Sequence, residues 1–282
     1  MKSKELSFFG YPPTLWFLFF VVAPLVIVFV ISFLTRGLYG GIEWTFTFQN
    51  YLRAFNPVYL GILFKSFQLA LMTALICLAL AYPMAWTMAT AAPRLRSLFF
   101  LLIAVPFMSN LIIRVYAIKL FVGADGPLQS TLSFWGFAYD SFALSQNHWL
   151  VMYGMVTTYL PFMVLPLYSA FEKLDFSLVE SAQDLGANDW RVFSLILVPA
   201  TRRAAFNGFI LVFIPCMGEF VIPDLLGGAK NMLIGNLITE QFLKSRDWPF
   251  GSALSILLIT ILLAVPYFLR ILFLKNRSGV RA

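Results

Sequence analysis

The run LWFLFFVVAPLVIVFVISFL, Leu15 to Leu34, carries no charge. Its length matches the roughly 20 residues a helix needs to cross a bilayer, and no other feature so narrows what the chain can become. In hydrocarbon every backbone N–H and C=O must be satisfied within the protein, which leaves helices and closed barrels. A barrel strand alternates apolar and polar positions, whereas this run is apolar throughout. Comparable runs bounded by charge, Gly or Pro recur and predict six transmembrane helices, at about 14–35, 66–91, 97–121, 149–171, 204–226 and 250–272. The expectation is an all-α integral membrane protein, with residues 1–282 as one transmembrane domain. No small-residue cleavage site follows the first run, so it reads as a retained span that also serves as the insertion signal.

Orientation follows from the basic residues. With a cytoplasmic N-terminus, the inner side holds Lys2, Lys4, Arg94, Arg96, Lys173, Arg191, Arg202, Arg203, Arg270, Lys275, Arg277 and Arg281 of the 20 Lys and Arg. Several sit at span ends, where the rule acts most strongly, so both termini are expected to face the cytoplasm. The net charge of +7 is therefore a topology and anionic-lipid signal rather than a nucleic-acid one. Cys77 and Cys216 lie inside apolar runs with no CxxC and read as inert core residues, not a metal site. His148 stands alone at the start of the fourth span. The sequence has no GxxxxGK[ST], HExxH, GxSxG or GxGxxG, so neither phosphate cradling nor hydrolytic chemistry has a motif to rest on.

Between the fourth and fifth spans the stretch from Ser177 to Arg203, SLVESAQDLGANDWRVFSLILVPATRR, carries Glu180, Asp184, Asp189, Arg191, Arg202 and Arg203. Ser177 with Glu180 three residues later fits a capping box. Leu178, Val179, Ala182 and Leu185 recur on one helical face, and Gly186 suits the left-handed end of that helix. Asn188 or Asp189 can cap a second helix, with Pro199 expected to break it before the fifth span. The expected product is a helix-turn-helix over 173–203. A tight connection would be far shorter, and long ordered connections tend to carry function.

Glu180-Ser181-Ala182, Gly186 and then Ile196-Leu197-Val198-Pro199 resemble the EAA motif of ABC importer permeases, with Ser181 and Val198 as mild departures. PFMVLPLYSAFEKLD (161–175), ESAQDLGA (180–187), GEFVIPDLLGGAKNMLIGN (218–236) and RDWPFGSA (246–253) are similar to permease subunits of spermidine/putrescine importers. The resemblance implies a type I importer fold whose first span lies outside a five-helix core, with 173–203 as a cytoplasmic coupling loop in which Ser177, Glu180, Ser181, Ala182, Gly186, Ile196 and Pro199 meet an ATPase. It also implies two permease chains, two copies of an ATPase that uses ATP and Mg²⁺, and a periplasmic polyamine-binding protein. The permease itself binds no cofactor and performs no chemistry.

Two charges fall at membrane depth. At 1.5 Å per residue, Glu219 lies roughly 22 Å and Arg114 roughly 26 Å from the inner ends of their spans. In one reading they pair and hold the spans together. In the other, Glu219 or Asp224 meets the ammonium groups of a polycation and Arg114 tunes the carboxylate, with Phe107, Tyr116 and Phe220 as aromatic neighbours of the path. Three outer segments, 36–62, 122–147 and 227–249, are long enough to dock a binding protein. A permease for another small solute and a self-contained secondary carrier are the rival readings. Carriers commonly carry inverted repeats, and no convincing pair of repeats is present.

Overall fold

The computed structural model describes residues 13, 15–123, 126–136, 147–228 and 232–275. Parts of the second and third outer segments and most of the basic tail lie outside this set, as do Lys2 and Lys4. The described elements are α1 (Leu15–Ile31), β1 (Leu34–Arg36), β2 (Ile42–Phe46), α2 (Gln49–Ala54), α3 (Pro57–Thr90), α4 (Pro93–Met108), α5 (Leu111–Val122), α6 (Pro127–Phe134), α7 (His148–Glu172), α8 (Ser177–Asp184), α9 (Asp189–Gly218), α10 (Val221–Leu226), α11 (Ile234–Leu243) and α12 (Trp248–Lys275). Among them α3, α7, α9 and α12 are long and apolar enough to span a membrane. The stretches Pro93–Met108 (α4) and Leu111–Phe134 (α5 with α6) are bent by 91° and make a fifth span if taken as one, while α1 is a shorter apolar helix.

Several expected boundaries are corrected. The first helix ends at Ile31 rather than 35, because Asn50 Nδ2 donates to the carbonyls of Ser32 and Leu34 (2.9 and 2.8 Å) and holds the chain in its turn into β1. Strands β1 and β2 then pair antiparallel. The second helix starts at Pro57, earlier than the apolar run alone suggests. The third span is interrupted at Ser109–Asn110, where both residues take extended ψ values of 146° and 131°. The fifth divides into α9 and α10, with Glu219 extended between them.

Pro199 does not end the hairpin's second helix. That helix runs on from Asp189 to Gly218, because a π-turn over Phe193–Leu197 precedes the proline and Val198 N–H reaches back to Phe193 O. The wider turn accommodates a ring that would otherwise press on the carbonyl four residues earlier. The same pairing recurs in α1, where a π-turn over Leu18–Val22 precedes Pro24.

The chain forms two compact units, Met1–Leu63 with Gly235–Ala282, and Phe64–Ile234. In the first, Asp247 is 2% exposed, accepts from Phe250 N (3.2 Å) at the start of α12 and pairs with Arg53 at 2.7 Å. The Arg53 guanidinium also lies 3.9 Å from the Phe250 ring centre. In the second unit, Ala70, Ala74, Cys77, Ala81 and Ala85 line one fully buried face of α3. Such small side chains let helices approach closely in a membrane, where the hydrophobic effect gives no preference for helix over lipid. Helices α7 and α9 pack most intimately: a Cβ at Gly208 would stand 2.7 Å from Met163 Sδ. Both cysteines are buried and unpaired, in keeping with inert core residues.

Candidate functional site

The hairpin is built differently at its start from what the sequence suggests. Ser177 is the first residue of α8 rather than its cap, and Asp175 Oδ1 accepts from Ser177 N at 3.0 Å. Hydrogen bonds from Ser177 hold the Asp175 carboxyl below its usual range. Glu180 and Ser181 are exposed and Ala182 half-buried. At the other end Gly186 has φ +83°, Gly186 N–H reaches Gln183 O (2.8 Å) and Ala187 N–H reaches Ala182 O (3.0 Å), closing the helix as expected. Asn188 Oδ1 then accepts from Arg191 N at 2.9 Å and starts α9. Ile196 is half-buried within the π-turn and Pro199 is exposed.

The apolar face of α8 is not uniformly buried. Val179 packs inward, whereas Leu185 is 89% exposed and Leu178 is also open. Across the turn Trp190 and Leu195 are 72% exposed. The roots of the hairpin are anchored: the Phe176 ring stands 5.7 Å from Trp86 and Phe193 stands 5.6 Å from Tyr82, both on α3. A fixed base therefore presents a turn with uncovered apolar side chains.

The two membrane-depth charges do not meet each other; each closes a different helix break. Glu219 is 8% exposed. Its Oε1 accepts from the amides of Phe220 (3.1 Å), Val221 (2.8 Å) and Ile222 (3.4 Å), at the start of α10 where a helix's first donors look outside the helix for acceptors. The Tyr159 hydroxyl of α7 donates to Oε2. Arg114 does the converse at the break between α4 and α5, donating to the carbonyls of Pro106 and Ser109 (3.1 Å for the latter) and to Ser109 Oγ (3.3 Å). An anion thus collects amides at one break and a cation collects carbonyls at the other, where Pro106 O also accepts from Ser109 N–H and Ser109 Oγ. The pairing of Arg114 with Glu219 entertained from sequence is not among the ion pairs of the described residues.

Helix α10 packs against α5 and α7, so both breaks belong to one region of this unit. Gly154 permits the approach to α7, since a Cβ there would lie 2.9 Å from Leu226 Cδ1. Asp224 is exposed on α10, and Phe107, Tyr116 and Phe220 are each roughly half exposed. Phe107 meets Phe162 edge-on at 5.1 Å, and Phe162 in turn neighbours Tyr159 at 6.2 Å. Tyr159 was not singled out from sequence. The available signal was polar accounting: a mid-span tyrosine hydroxyl needs a partner, and Glu219 was the unassigned carboxylate at that depth.

Spanning helices, with breaks at Ser109–Asn110 and Glu219 satisfied by charged side chains, and an anchored polar hairpin make this a membrane-embedded chain. The chain belongs to the binding-protein-dependent transport system inner membrane component family, whose model matches residues 80–277. It is 42% identical over 253 residues to the spermidine/putrescine transport system permease protein PotB of Haemophilus influenzae, covering 90% of this chain and 88% of that one. It is 42% identical over 247 residues to PotB of Escherichia coli strain K12, covering 88% and 90%. The fold matches a bacterial alginate ABC transporter solved with its alginate pentasaccharide-bound periplasmic protein, with a TM-score of 0.75 at 16% identity over 95% of this chain and 93% of that chain. The chain is accordingly a multi-pass inner-membrane component of a binding-protein-dependent transport system and is not itself catalytic.

Proposed function

We propose that the chain is one of two permease subunits of a spermidine/putrescine importer, paired with two ATPase copies and moving substrate by alternating access. The observation that carries this reading is 42% identity over about nine-tenths of the chain to the PotB proteins, against 28% to the Escherichia coli permease YdcU. Both termini and residues 173–203 face the cytoplasm in this reading. Gly186 and Asn188 shape the hairpin, Glu180, Ser181, Ala182, Ile196 and Pro199 lie along it, and the exposed Leu185 and Trp190 form the apolar contact for an ATPase. The path carboxylate is Asp224, which is exposed, whereas Glu219 is occupied by four donors.

The test is uptake of labelled spermidine and putrescine by cells in which this chain and its partners supply the sole polyamine import route. Saturable uptake that disappears on deleting the chain and resists competition by amino acids and sugars is expected. Transport of another solute in preference would assign a different substrate within the family, and transport by this chain alone would make it a self-contained carrier.

A further inference from the structure

The break at Ser109–Asn110 raises a question the Arg114 cap only partly answers. Helix α4 begins among Arg94 and Arg96, which suit a membrane interface, and its 16 residues reach about 24 Å, inside a ~30 Å hydrocarbon core. Met108 is 84% exposed and Ser109 and Asn110 are exposed as well. Non-helical backbone at that depth is tolerated only against protein or a water-filled cavity, because lipid offers no hydrogen bonds. This face of the second unit therefore fronts the partner permease or the path.

What the break offers there is a cluster of oxygen acceptors: the Pro106 carbonyl, the Ser109 carbonyl and Ser109 Oγ, all currently holding one guanidinium. The carbonyl end of a helix also carries partial negative charge. Phe107 supplies a half-exposed aromatic face beside it. These are the features that would replace water around an alkylammonium group. A flexible cation with charge at both ends needs two such stations, and α5 packs against the helix that carries Asp224.

We propose that the carbonyl cluster at Pro106 and Ser109 is a second ammonium-binding station on the path, and that Arg114 is its tethered occupant, displaced when substrate arrives and returning to expel it. This rests on the polyamine reading above. Guanidinium and ammonium compete for the same acceptors, so Arg114 lowers the fraction of time the station is open and keeps the substrate from being retained.

The experiment uses the complete complex, with partner permease, ATPase and binding protein, and measures spermidine uptake into vesicles and equilibrium binding of labelled spermidine to the purified complex without the binding protein. Arg114→Ala should bind spermidine about tenfold more tightly, the factor expected if the arginine leaves the station open one time in ten. Its maximal uptake should fall several-fold, and guanidinium ion should compete with spermidine in this variant more strongly than in the wild type. Unchanged or weaker binding in an assembled Arg114→Ala complex would overturn the proposal. Should that variant not assemble, Arg114→Gln decides: it keeps a shorter neutral donor for the break but gives up the charge and the fork that hold all three acceptors. Tighter spermidine binding is then expected, and unchanged binding would overturn the proposal. Absence of spermidine uptake by the wild-type complex would take down the polyamine reading as well, whereas normal uptake with unaltered binding takes down this station alone.

Discussion

The Tyr159 hydroxyl donates to one oxygen of Glu219 while the other oxygen gathers the first amides of α10, so a single buried carboxylate ties α7 to the break in the fifth span. A hydrogen bond to a charged group contributes about 1.5–3 kcal/mol, and a buried carboxylate that loses one leaves its charge less compensated. Tyr159→Phe is therefore expected to lower the thermal unfolding temperature of the purified complex. Glu219→Gln should do the same, since its neutral amide is a weaker acceptor for the clustered donors. An undiminished unfolding temperature with lost uptake in Glu219→Gln would instead return Glu219 to the substrate path.

Gly186 is open to solvent, and a Cβ there would meet nothing within 4 Å. The demand for glycine is thus one of backbone alone, at φ +83°. Gly186→Ala should weaken the hairpin by about 1–2 kcal/mol, whereas Gly186→Pro cannot adopt that φ and also deletes the donor to Gln183 O. Loss of ATPase co-purification in Gly186→Pro, with partial retention in Gly186→Ala, is the expected result. Full retention in both would mean that the hairpin is not the coupling contact.

Asp247 caps α12 and holds the half-exposed Arg53. Replacing it with Ala removes a cap and a partly screened ion pair, a loss of about 2 kcal/mol. Hydrogen exchange should rise at the start of α12 and in α2. Exchange unchanged at both places would show that the pair is dispensable.

Native Cys77 and Cys216 are fully buried, so single cysteines can report topology in their presence. Tyr39→Cys, on the hairpin between β1 and β2 at 98% exposure, should react with a membrane-impermeant thiol reagent added outside intact cells. Trp190→Cys should react only once the membrane is opened. The reverse pattern would invert the proposed orientation.

Much of this was legible because hydrocarbon enforces strict rules: four of the six expected runs are spanning helices among the described residues, a fifth is one only if a bent pair is taken together, the first run is a shorter apolar helix, and Gly186 and Asn188 end and begin helices where their chemistry suggests. The start of the first hairpin helix was misread by one residue: Phe176 holds the cap position, and Asp175, an equally good acceptor, takes the Ser177 amide just ahead of it. Pro199 misled, since a sequence records the missing donor but not the π-turn that absorbs it. The helix breaks were invisible for a related reason. Ser109–Asn110 and Glu219–Phe220 lie within apolar runs, and only the hydrogen-bond partners of Arg114 and Glu219 reveal that each charge serves a break. Depth along a helix was readable from sequence; the direction a side chain points was not.

The central claim is that this chain moves polyamines as part of an ATP-driven complex, and vesicles containing the complete complex test it most directly. With ATP on the ATPase side and spermidine-loaded binding protein on the other, labelled spermidine should accumulate inside, and omitting ATP, the ATPase or the binding protein should each abolish accumulation. Accumulation without ATP, or driven by an imposed ion gradient across vesicles holding this chain alone, would contradict the account.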